Sequence, residues 1–140
     1  MTFDISREDE TFRQEFEAGT FPPAAFDHRA HVRLAYTYLA GSDGDTATAR
    51  MRDGLLRYLA QHGIDPAKYH ETLTRAWILA VRHFMNRSGS AASADAFIDA
   101  NPALLDSRLM LTHYSADLLF SPEARARFVE PDIEPFPRHR

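Results

Sequence analysis

Apolar side chains recur at intervals of three and four through the first two-thirds of the chain, and most runs lie between a capping residue and a glycine. A period near 3.6 gathers such residues on one face of a helix but scatters them over both faces of a strand. The pattern therefore commits the backbone to helices. Ser6 opens the first, with Glu8, Asp9 and Glu10 in the opening turn, where the positive end of the helix dipole favours acids. Phe12 and Phe16 give it an apolar stripe, and Gly19 ends it. Asp27 reads as the cap of a second helix over 28–40, stopped by Gly41. A third follows from 46 to 61 or 62, with Met51, Leu55 and Leu59 on one face and Gly63 as its stop. Asp65 and Pro66 supply the cap and first-position proline of a fourth, expected to reach Met85.

The last third reads as short helical pieces, preceded by Ser93, Ser107, Ser115 and Ser121. Residues 130–137 hold too many prolines to stay helical and are expected to run extended, packed across the bundle through Ile133 and Phe136 or mobile. No segment alternates with period two for long enough to demand a strand. The fold class expected is all-α. It is one helical domain over 1–140, a bundle with four main helices, short C-terminal helices and an extended proline-rich tail over 131–140.

Composition narrows the chemistry. The apolar share of 44% over 140 residues can fill a core. A formal net charge of −4 offers no basic excess for neutralising phosphates, which speaks against a nucleic-acid partner. With no cysteine, disulfides, thiolate zinc sites and thiol catalysis are excluded together. The longest apolar run, 76–81, falls far short of a membrane span, and the acidic start lacks the features of a signal peptide. A cytoplasmic protein is expected. The glycine-rich nucleotide loops, the serine-hydrolase elbow and the His-Glu-x-x-His zinc motif do not occur.

What the composition does supply is histidine, seven copies of it, beside a single lysine, Lys68. Short loops make the second, third and fourth helices successive antiparallel neighbours, so the second and fourth run parallel. His28 and His31 then fall in the first turn of one helix and His70 at a matching depth in the other, each on the apolar face. Partial burial beside two helix N-termini disfavours imidazolium, leaving the neutral ring that ligates metals or accepts protons. One expectation is a His28, His31 and His70 metal site with an open fourth position, suited to zinc, iron, manganese, nickel or copper. A metal-free alternative makes His31 or His70 the general base and Tyr114 a hydrogen-bond donor, for isomerase or lyase chemistry. Thr74 and Trp77, one and two turns beyond His70, are candidate substrate contacts. His113 is a contender for the same site, as is Glu71, although Glu71 also suits an i, i+4 surface pair with Arg75. His62, His83 and His139 are expected to stand aside, and Arg29 and Arg33 to face solvent.

The segments Phe26-Asp27-His28-Arg29-Ala30-His31-Val32 and Lys68-Tyr69-His70-Glu71-Thr72-Leu73-Thr74-Arg75-Ala76-Trp77 resemble the two signatures of a largely uncharacterised family of small bacterial helical proteins. Tyr114-Ser115, residues 121–125 and Phe128-Val129-Glu130-Pro131-Asp132 resemble that family's closing segment. The resemblance marks the residues that spacing marks and implies no particular reaction. The three histidines are also similar, in architecture alone, to the metal sites of DinB-type helical bundles. The reading is a small-molecule enzyme with a histidine-centred pocket between two parallel helices. The alternative is a helical module that senses a ligand or binds a partner, and oligomeric state stays open.

Overall fold

The computed structural model describes residues 2–137, and the architecture is all-α. Among the described residues seven α-helices follow in chain order: α1 (Arg7–Ala18), α2 (His28–Gly41), α3 (Gly44–Gln61), α4 (Glu71–Ser88), α5 (Ala94–Ala100), α6 (Ala116–Leu119) and α7 (Pro122–Ala126). Single 3-10 turns at Pro23–Ala25 and Pro66–Lys68 precede α2 and α4, and two more, Pro102–Leu105 and Ser107–Thr112, join α5 to α6. An isolated parallel bridge between Phe3 and Ala91 ties the start of the chain to the segment after α4.

The caps lie where side-chain chemistry requires them. Ser6, Asp27, Asp43, Ser93, Ser115 and Ser121 each accept a backbone N–H three residues on, so each helix start has a partner for an otherwise orphaned donor. Gly19 closes α1 at φ 80°, a left-handed conformation that glycine adopts without steric cost.

The start of α4 corrects the sequence reading. Asp65 and Pro66 open only a 3-10 turn, and the helix proper begins at Glu71 with His70 as its cap. The carbonyls of Ala67 and Tyr69, which a continuous helix would use internally, instead accept from the Arg125 guanidinium of α7. Tyr69 stays extended as a result.

Helix α2 is the hub, packed against α1, α3, α4 and α5, and its run from Leu34 to Leu39 is buried throughout. Two charged junctions tie the helices to one another. Asp9, 1% exposed, accepts from the backbone N–H of Ser6 and of Ala94 and from Arg33 Nε, so one carboxylate joins α1, α2 and the start of α5. Burial pushes this carboxyl up, but those three donors outweigh it and hold the group below its ordinary range. Arg33 also lies over the Phe12 ring and Arg29 pairs with Asp95 and Asp99, so neither side chain extends freely into solvent. Between α3 and α4, Arg52 donates to both oxygens of Glu71, at 2.8 and 2.5 Å. Glu71 therefore does not form the surface pair with Arg75 expected from spacing; Arg75 instead lies over Phe128 and near Asp45.

The tail divides differently from its expectation. Phe136 is buried against His113 and Tyr114, whereas Ile133 is 60% exposed and anchors through its backbone N–H to the His113 carbonyl. His139 lies outside the described residues. Among the described residues no helix is long and apolar enough to cross a membrane.

Candidate functional site

The N-terminal ends of α2 and α4 and one face of α3 border a half-open cavity of about 560 Å³. Three antiparallel neighbours in sequence produce that arrangement, because α3 runs back between the two helices whose starts it meets. Its walls are mostly apolar: Phe26, Met51, Leu55, Leu59, Leu73 and Trp77 line it together with Tyr58 and Tyr69. His28, His31, His70 and Thr74 also line it, so the structure brings five of the six expected site residues to one place.

The sixth, Tyr114, is elsewhere. It is fully buried under the tail, its hydroxyl donates to the Val129 carbonyl, and it does not reach the cavity. The physical reason is the tail itself, which crosses Tyr114 and supplies the Val129 carbonyl as an acceptor for its buried phenol. His113 goes the same way, stacked on Phe136 with its Nδ1 2.7 Å from the Glu134 carbonyl. Glu71 is turned toward Arg52 and the Tyr69 hydroxyl, and does not line the cavity. His62 caps the end of α3 against Tyr58, its Nε2 buried and without a hydrogen-bond partner among the described residues.

The three expected metal ligands meet the cavity in different chemical states. A carbonyl oxygen can only accept, so a ring nitrogen in contact with one carries the proton. His31 Nδ1 lies 3.1 Å from the Asp27 carbonyl, which leaves the lone pair on Nε2 with no protein partner among the described residues. His28 donates from Nε2 to the Leu104 carbonyl at 2.8 Å, which leaves its lone pair on Nδ1. His70 has nothing left to offer. Its Nε2 donates to the Leu119 carbonyl at 2.8 Å, and its Nδ1 accepts the Leu73 N–H as the cap of α4.

The expected three-histidine metal centre is accordingly not formed, and the residues present do not fit it. Ligation by His70 would require breaking either the helix cap or the tie to α6. Among the described residues, no group of three histidine, aspartate or glutamate side chains is arranged to hold a metal ion. The assignment of His70 as a general base meets the same obstacle, because a base needs a free lone pair.

Electrostatics separate the histidines further. Burial lowers the pKa of His31, the Asp27 carbonyl partly offsets it, and charge repulsion from nearby His28 adds to the lowering. His70 is lowered by burial first, against its bond to Leu119, with the Arg125 charge assisting. Tyr69 is pushed well above the ordinary phenol range, by burial first and then by its 2.6 Å bond to Glu71.

Two contacts shape the cavity around the available nitrogens. Phe26 packs on His31 with ring centroids 4.3 Å apart, and Trp77 meets His28 at 4.6 Å with an interplanar angle of 64°. Phe26 occupies the position before the Asp27 cap and His31 the fourth helical position, the spacing of a hydrophobic staple. That spacing is a signal by which Phe26 could be read from sequence as a site residue. Lys68, Tyr58 and Ser107 also line the cavity without such a signal; Lys68 and Ser107 reach it from 3-10 turns, which have no long periodic face to read. Comparison with protein-family models, curated proteins and solved structures returns no match.

Proposed function

We propose that the chain is a small-molecule acid–base enzyme in which His31 is the general base and His28 a second acceptor that orients the substrate. The observation carrying this reading is the state of His31. Its Nδ1–H is held by the Asp27 carbonyl, its neutral form is favoured by burial, and its Nε2 lone pair is left free in an apolar cavity. A fixed tautomer with one free nitrogen is what proton abstraction requires. In the step supported by this geometry, Nε2 takes a proton from a substrate C–H or O–H while the bonding pair stays on the substrate. The imidazolium so formed shares its charge with the Asp27 carbonyl and returns the proton at the same or a neighbouring atom, giving exchange or isomerisation. Trp77 and Phe26 supply flat apolar contact, and Thr74 a hydroxyl oxygen.

Solvent deuterium reads this chemistry whatever the identity of the substrate. Incubating the protein in D₂O with a panel of small aromatic and carbonyl compounds should give protein-dependent loss of C–H signals in proton NMR spectra. His31→Gln should slow that exchange by about a hundredfold or more, in line with the usual worth of a positioned base. Because the His31 pKa lies below 6.5, the rate should stay level through neutrality and fall only as pH drops beneath that value. Compounds that bind while none exchanges or converts would replace the enzyme reading with that of a ligand-binding module.

A further inference from the structure

The hydrogen-bond inventory of the cavity specifies the kind of ligand it takes. His31 gives its N–H to Asp27, His28 to Leu104 and His70 to Leu119. Thr74 gives its hydroxyl proton to the His70 carbonyl, Tyr58 to Phe21 and Tyr69 to Glu71. Six polar side chains facing one cavity have thus spent their donors on the protein, and two of them, His28 and His31, keep an unshared nitrogen lone pair. The remaining donors of the lining side chains are few: the Trp77 indole N–H, and Lys68 and Ser107, which are exposed.

Buried polar groups need partners, so a wall of acceptors favours a guest that donates and disfavours one that only accepts. The charge balance points the same way. Glu71 is neutralised by Arg52 outside the cavity, and Asp27 is exposed and caps the Ala30 N–H. Among the described residues the lining holds one carboxylate, the Asp27 cap, and one cation, Lys68, and both are exposed. His28 and His31 are three residues apart on one helix, so their side chains are neighbours on one surface.

We infer that the cavity selects a flat, uncharged molecule with two neighbouring hydrogen-bond donors, of which a vicinal aromatic diol is the simplest. The two hydroxyls donate to His28 Nδ1 and His31 Nε2, and the ring lies among Trp77, Phe26 and the aliphatic side chains of α3. This deepens the acid–base reading and rests on it for the location of the site.

Calorimetric titration of the full chain with three naphthalenes of similar shape tests the inference: 2,3-dihydroxynaphthalene, its 2,3-dimethoxy ether and 2-naphthoate. The diol should bind at least tenfold more tightly than either of the others. His28→Phe and His31→Phe should each weaken the diol about tenfold and leave the dimethoxy ether unchanged, with unaltered circular dichroism confirming the fold. Equal or tighter binding of the ether or the naphthoate overturns the inference, as does failure of all three to bind. The two proposals fail separately. Naphthoate preference with deuterium exchange intact removes only the ligand class, and diol binding without any exchange removes only the base.

Discussion

His70 shows how one side chain can look catalytic and act structurally. Its ring closes the N-terminus of α4 through Leu73 and holds the end of α6 through Leu119. His70→Ala should therefore cost about 2 kcal/mol in urea unfolding, the combined scale of a lost helix cap and a lost buried hydrogen bond. His70→Asn keeps a good capping oxygen and should recover about half of that. A catalytic assignment predicts the opposite ranking of concerns, with activity lost and stability untouched. The same ring also gives stability a pH dependence. His31 and His70 both titrate below 6.5 in the folded chain, so the unfolded chain binds more protons as the medium becomes acidic. Stability is fully present above about pH 6.5 and should decline as pH falls through that value toward the folded pKa values, a slope that His70→Asn should reduce.

At the scale of elements, a close approach between α1 and α3 sets Phe16 against Phe26 and Tyr58 of the cavity wall. Gly54 lies in the interior of α3, where glycine normally costs about 1 kcal/mol against alanine. The structure explains it, because a Cβ at this position would lie 2.8 Å from the Phe16 ring. Gly54→Ala should therefore destabilise by about 1 kcal/mol despite its better helix propensity, and pairing it with Phe16→Leu should recover part of the loss in a double-mutant cycle. The caps of α1, α2, α5, α6 and α7 are legible in the sequence because a serine or aspartate cap acts through its own next three residues. The start of α4 is not, because Arg125, far along the chain, takes the carbonyls that would have continued it. The place of Tyr114 is hidden for the same reason. Its partner Val129 belongs to a tail whose path no periodicity encodes.

For the molecule as a whole, parallel pairing of α2 and α4 is enough to gather His28, His31, His70, Thr74 and Trp77 from sequence spacing. Which nitrogens of His28 and His70 stay free is beyond that reasoning, since it depends on the carbonyls of Leu104, in a 3-10 turn, and Leu119, at the end of α6, both late in the chain. The short turn that interrupts the approach to α4 has a dynamic consequence. Part of the cavity wall, contributed by Ile64, Lys68 and Tyr69, is held by a single 3-10 turn whose amide N–H groups bond only locally, with the Arg125 side chain on two of its carbonyls as the tie to the rest of the fold. Amide hydrogen exchange at Ala67, Lys68 and Tyr69 should run orders of magnitude faster than within α2 or α4, and slow when a guest occupies the cavity. Uniform protection across this turn and α4 would contradict it. Transient melting of this one turn would widen the cavity mouth beside Lys68 at a small fraction of the free energy of global unfolding, while the helices that hold the two imidazoles keep their register.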